Sequence, residues 1–300
     1  MQKNRKHQLI SIITSSYRKE YFSLLKENIA ETIGTEHEII RVYNPAKMGI
    51  SEAYNTGAKK SRYPYLCFVH EDVKFISKNW GQNLITHFST DPKCGVLGLA
   101  GSVCKNRMAT SWWQPVINGT ETKRTNYIQG FPNRTSKHFL LNPLQEDKSL
   151  VVSLDGVFMA MKKDVWEKVL FDEKLLKGFH AYDLDFTIRS SKNFNNYVVY
   201  DILLEHYSEG VNDLNWLKQN LLIHKKNKGR LPIIKCNSID KEQLRKIDES
   251  FLEGNIGLLA KGKESKKEAI KIFLQLIGSC GLYVPNIPLL KKFLKTVIFN

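Results

Sequence analysis

The chain has 300 residues, with 45 Lys and Arg against 30 Asp and Glu, and a formal net charge of +15. Its length suits one large domain, or one domain with a small appendage, and a hydrophobic share of 42% excludes a disordered chain. The charge draws the protein towards phosphates, nucleic acids or anionic membrane surfaces and does not choose among them.

The first hundred residues alternate two patterns. Leu9–Thr14 (LISIIT) is an apolar run of strand length. Glu20–Thr32 follows with helical spacing, Tyr21, Leu24, Leu25, Asn28 and Ile29 sharing one face. Glu38–Tyr43 is a second strand, Ser51–Lys60 a helix with Ser51 as N-cap, and Tyr65–Val69 a third strand. Asn79–Phe88 is helical and Val96–Ala100 a fourth strand. Strand–helix–strand repetition of this kind predicts an α/β fold with a mostly parallel central sheet.

Residues 102–150 interrupt the pattern. They are rich in Asn, Thr, Lys, Gln and Pro, carry Trp112 and Trp113, and read as a functional excursion over a site. Leu150–Met161 returns to strand character, Lys163–Leu170 and Tyr182–Ser190 are helical, and Asn196–Leu204 is a strand. After Val211 the chain becomes helical and basic: Leu258–Ile277 and Ile287–Phe299 place Lys among Leu, Ile and Phe at helical spacing. Residues 261–300 hold eight lysines and two acids. Such a segment either packs its apolar stripe on its own protein or lies on anionic lipid.

The apolar stretch Ile272–Val284 is broken by polar residues and glycines and is too short to span a bilayer. The five cysteines, Cys67, Cys94, Cys104, Cys236 and Cys280, form no CxxC pair. Reduced thiols and a cytoplasmic location, with peripheral contact to the inner membrane face, are the expectation.

Four groups of residues carry chemistry. His70-Glu71-Asp72 directly follows the third strand, and ligands of open parallel sheets bind at the carboxyl ends of strands. Acids there could hold a divalent cation that neutralises a diphosphate; the alternative is an exposed turn with solvated acids. Tyr182-Asp183-Leu184-Asp185 sits at a helix start, where ionised carboxylates are favoured. One of them could act as general base, or both could serve capping and an ion pair with Arg189. Asp155-Gly156 places an acid inside an otherwise apolar run, where burial is costly without a partner. His206 follows a strand and could ligate a metal as neutral imidazole. A Walker loop, a GxGxxG turn, a zinc pattern and a GxSxG elbow are all missing.

In this order the pieces resemble the family 2 glycosyltransferases of GT-A fold, particularly bacterial members that build surface polysaccharide. The resemblance covers residues 8–210. It implies a catalytic domain over 1–210, with 1–101 the nucleotide-sugar half and 102–210 the acceptor half, followed by a basic helical extension over 211–300. It further implies that Thr14, Ser15, Ser16, Tyr17, Asn44, Asn55 and Glu71 line a nucleotide site, and that Asp72 and His206 hold Mn²⁺ or Mg²⁺. Asp183 would be the general base of an inverting transfer. Asp155, Gly156, Trp112, Trp113, His180, Tyr182 and Asp185 would meet the sugar or acceptor.

The sequence departs from the family pattern at His70, where an Asp is usual, at Tyr43-Asn44, at Tyr54 and at Tyr182. The phosphate charge that an Arg at position 54 would neutralise is then expected to meet a Lys or Arg of the 102–150 excursion. A UDP-sugar donor and a glycan or lipid-linked acceptor are the expected partners. Two other readings stay open: a sugar-nucleotide-binding module without turnover, and a nucleic-acid-binding protein, for which no recognition motif is present.

Overall fold

The computed structural model describes residues 9–299 apart from 115, 117–118, 132, 263 and 280–286; Cys280 and the end of the 272–284 stretch lie outside the described residues. Ile10–Ser16 reads ISIITSS, and its β-branched residues favour extended backbone. Ile10, Ile12 and Ile13 are fully buried, as expected of a strand covered by helices on both faces. Among the described residues, seven strands join in one sheet. Their spatial order is Lys148–Val151, Asn195–Val199, Cys94–Gly98, Phe158–Lys162, Tyr65–Val69, Ile10–Ser16, His37–Tyr43. Five run in one direction, while Phe158–Lys162 and Lys148–Val151 run the other way.

Helices cover this sheet. Lys19–Thr32 buries Leu25, Ile29 and Thr32, a spacing that makes one stripe. Trp80, at the start of helix Trp80–Thr90, stacks on Phe75 with ring centres 4.1 Å apart and donates its indole N–H to Thr32 Oγ1 at 3.0 Å. Fully burying such rings contributes about 1.5–3 kcal/mol each. Ile50–Lys60 lies close on the first strand, where a Cβ at Gly57 would fall 2.3 Å from Ile13 Cγ2. Its N-cap is Gly49, so Ser51 is a buried residue inside the first turn and not the cap.

A second sheet runs Ser153–Leu154, Ala100–Ser102, Lys123–Phe131, Leu204–His206, Val73–Phe75, with Arg134–Leu141 paired to Lys123–Phe131. The 102–150 region therefore contains two long paired strands, Lys123–Phe131 and Arg134–Leu141, and is not irregular throughout. The chain divides into two compact units: residues 1–102 with 123–209, and residues 103–122 with 210–300. The segment 103–122, assigned from the sequence to the acceptor half, clusters with the C-terminal helices.

In that second unit Leu214–Asn227, Lys241–Lys261, Lys266–Ser279 and Ile287–Phe293 are helical, the last continuing as a π-helical turn over Leu294–Ile298. The stretch with helical spacing over 258–277 divides between two helices, the first ending at Lys261 with Gly262 as its C-cap and the second starting at Lys266. Asp240 and Gln243 form a capping box with two 2.8 Å hydrogen bonds. Leu217, Leu252, Ile256, Ile272 and Phe273 are buried in a common core, and Phe273 stacks on Phe293 at 3.8 Å. Among the described residues no helix is long and apolar enough to cross a membrane.

Candidate active site

Two strand pairings assemble the site. Leu204–His206 runs antiparallel to Val73–Phe75, with His206 opposite Val73, and Tyr207 N–H donates to Asp72 O at 3.0 Å. This register sets His206 beside Asp72, with Nε2 3.6 Å from Oδ1. On the other side Phe158 pairs with Val69, and His70 N–H donates to Val157 O at 3.1 Å. One ligand atom from each of His70, Asp72 and His206 lies within 4.8 Å of the others.

Tyr182 orients His70. The phenol O–H donates to Gly156 O at 3.0 Å, and the same oxygen lies 2.8 Å from His70 Nε2. With the phenol proton on Gly156, His70 Nε2–H donates to Tyr182, and Nδ1 keeps the free lone pair that a metal ligand needs. Gly156 must be glycine here, because a Cβ would lie 2.1 Å from the Tyr182 hydroxyl. Burial, and then His206, push the His70 imidazole down to about 4, so it is neutral near pH 7. Burial pushes the Asp72 carboxyl up. Hydrogen bonding and charge from His206, a Ser208 hydrogen bond and the charge of His70 outweigh that and hold it well below the usual range.

Asp183 opens the helix Tyr182–Ser190, next to the His70 brace. It is half-buried and accepts Leu184 N–H at 2.8 Å. Burial, and then the like charge of Asp155, push its carboxyl up to about 7, against the pull of the Leu184 and Gly156 amides. A carboxylate that exchanges its proton near neutrality suits general-base work.

A pocket of about 530 Å³ opens onto this cluster. Ser15, Tyr17, Asn44 and Glu71 line it together with His70 and Asp72. Asn44 shapes one side: its side chain accepts Lys47 N–H and Met48 N–H at 3.0 and 3.1 Å and donates to Met48 O at 2.9 Å. Three cations also line the pocket: Arg18, Lys47 and Lys177. None comes from the 102–150 region that was expected to supply phosphate neutralisation. Arg18 directly follows the Thr14–Tyr17 segment and Lys177 precedes the Gly178-Phe179 pair, so proximity to those motifs was the available signal. His70, which the resemblance marked as a departure, is the third member of the possible metal cluster.

Several expected site residues are braces. Thr14 and Ser16 are buried, with Ser16 Oγ accepting Arg41 Nε–H at 3.1 Å; strand alternation sends Ser15 and Tyr17 to the opposite face. Asn55 is 3% exposed and fully engaged: it donates to Phe171 O and Glu173 Oε2 and accepts from Trp166 Nε1 and Phe171 N. It therefore ties helix Ile50–Lys60 to the 166–173 segment and does not face a nucleotide. Asp185 is 0% exposed and paired with Arg189 at 2.8 Å, out of an acceptor's reach. Gly156 and Tyr182 are buried against each other, and their contact supports the site at His70.

Asp155 is half-buried, with Oδ1 accepting Val157 N–H at 2.9 Å. His180 is half-buried beside Phe179. Trp112 and Trp113 belong to the second unit, where Trp113 packs edge-on against Phe251.

Residues 11–229 match the model of a family described as glycosyltransferase-like. The chain belongs to that family. Solved glycosyltransferases share its fold. The structure of GalNAc-T7 with UDP, GalNAc and Mn²⁺ is 9% identical with a TM-score of 0.51, and the match covers 97% of this chain and 57% of that one. The structure of S. aureus TarS 1–349 in complex with UDP is 12% identical with a TM-score of 0.55, covering 89% of this chain and 80% of that one. At these identities the likeness establishes the fold, which is the expected GT-A arrangement. No curated protein matches the chain.

Proposed function

We propose that this glycosyltransferase is inverting, and moves a hexosyl or N-acetylhexosaminyl group from a UDP-sugar to a hydroxyl of a glycan or glycolipid. The observation that carries the reading is the cluster of His70, Asp72 and His206, two of which, His70 and Asp72, line a pocket together with Arg18, Lys47 and Lys177. Two imidazoles and one carboxylate fit a divalent cation, and the nitrogen share favours Mn²⁺ over Mg²⁺. When bound, such a cation stabilises the charge of the departing diphosphate. The UDP found with GalNAc-T7 and TarS supports a uridine nucleotide.

In this reading Arg18, Lys47 and Lys177 bind phosphate oxygens, while Ser15, Tyr17, Asn44 and Glu71 border the nucleoside. Asp183 takes the proton of the acceptor hydroxyl as its oxygen bonds to the anomeric carbon. The bond from that carbon to the diphosphate oxygen breaks on the opposite face. One base and one displacement invert the centre; retention would need a second, nucleophilic group. Buried Cys67 and Cys94, which form no disulfide, support a cytoplasmic location.

The test is transfer from UDP-sugars by the wild type, by Asp183→Asn and after EDTA treatment. The expected result is product from the wild type, loss in the variant, and loss with EDTA restored by Mn²⁺. Near-wild-type turnover in the variant removes Asp183 from the base role. UDP-sugar binding without product from the wild type favours a binding module.

A further inference from the structure

The second unit has a cavity of its own, about 440 Å³, bordered by helices Leu214–Asn227 and Lys266–Ser279. Its floor is apolar: Leu221, Leu231 and Ile272 are buried, and Leu222 is partly exposed at the edge. The rim is cationic, with Arg107, Lys218, Lys225, Lys228 and Lys271 against one acid, Glu268. Lys218 pairs with Glu264 at 2.8 Å and Lys271 with Glu268 at 3.5 Å. Lys225 and Lys228 are exposed, and neither has an ion-pair partner among the described residues.

The wall includes His224, 2% exposed. Its Nδ1 lies 2.7 Å from Asn220 O and donates to it, which makes Nε2 an acceptor; Nε2 has no hydrogen-bond partner among the described residues. Burial, and then the charge of Lys105, keep this imidazole neutral.

Cations over an apolar floor complement a ligand with an anionic head and a hydrocarbon body. A bare phosphate would leave the floor uncovered, and a neutral lipid would leave Lys225 and Lys228 without a counter-charge. We propose that this cavity binds the head of an anionic phospholipid, with the phosphodiester against Lys225 and Lys228 and the first methylenes over Leu221, Leu222 and Ile272. The binding would place the protein on an anionic bilayer surface. It does not depend on the sugar-transfer reading, because no residue of the pocket at His70 takes part.

The experiment is sedimentation of the full chain with phosphatidylcholine vesicles containing phosphatidylglycerol. Each lysine near an anionic surface contributes about 1 kcal/mol, so Lys225→Glu with Lys228→Glu should weaken binding by about tenfold or more. Lys59→Glu with Lys60→Glu is the control: the same change in net charge on exposed residues of the first unit, expected to have a much smaller effect. Soluble dihexanoyl-phosphatidylglycerol should compete for the site and inorganic phosphate should not. Equal loss in the two double variants would mean general attraction of a basic protein and overturn the proposal. So would equal competition by phosphate, or tighter retention of an oligonucleotide than of the vesicles.

Discussion

The rim of the pocket and the helical layer behind it treat the same residue types in opposite ways. At the rim, His70, Asp72 and His206 bring ligand atoms together, with His70 and Asp72 lining the pocket, and the carboxyls of Asp72 and Asp183 are displaced from their ordinary range. Behind it, Asn55 and Asp185 are buried with protein partners on the atoms that a ligand would use. Asp183 and Asp185 stand two residues apart on one helix and differ in this way because helical geometry turns them to different surroundings. What separates a functional polar residue from a brace is whether its hydrogen-bonding capacity is already occupied.

That contrast can be broken by substitution. The largest effect is expected for Asp183→Asn, with turnover down by about 10²–10⁴ and donor binding kept. Its folded-state carboxyl is raised to about 7 from 3.8. The stability it contributes is therefore present below about 4 and lost as the pH rises through about 7. Thermal unfolding should accordingly find Asp183→Asn more resistant than the wild type above that point.

Asp185→Asn should behave in reverse. It leaves Arg189 without its buried anion, so denaturant unfolding should show a loss of about 2–3 kcal/mol, the range of a hydrogen bond to a charged group, with donor KM unchanged. Asn55→Ala should cost a similar amount, about 2–3 kcal/mol, because the Trp166 and Phe171 N–H groups lose their acceptor. A donor KM that rose in either variant at unchanged stability would erase the distinction.

Tyr182→Phe comes next. Without the hydroxyl that fixes the His70 ring, Mn²⁺ affinity should fall about 10- to 100-fold, read by calorimetric titration of the metal, while the buried ring keeps the fold. Asp155→Asn is the mildest. Wild-type activity should rise with pH through about 7 as Asp183 loses its proton. Removing the neighbouring like charge should move that limb to lower pH, and an unmoved profile would separate Asp155 from Asp183.

Much of the fold was legible because the parallel strands are continuous apolar runs: Tyr65–Val69 has the same bounds in sequence and structure. Lys123–Phe131 and Arg134–Leu141 were not, because the second strand, RTSKHFLL, is mostly exposed and lacks alternating hydrophobics. In the site, motif order singled out Asp72, His206 and Asp183. The part played by His70 was hidden, because it depends on the pairing of Leu204–His206 with Val73–Phe75, which lies far away in sequence. The engagement of Asn55 and Asp185 was equally invisible, since residue type does not reveal which partners a fold supplies.

The central claim is that UDP is held through a metal at His70, Asp72 and His206. Calorimetric titration of UDP into the wild type and Asp72→Asn, each with Mn²⁺ and with EDTA, tests it most directly. Binding to the wild type should require Mn²⁺ and be largely lost in the variant. Equal UDP affinity in EDTA, or in Asp72→Asn with Mn²⁺, would contradict it.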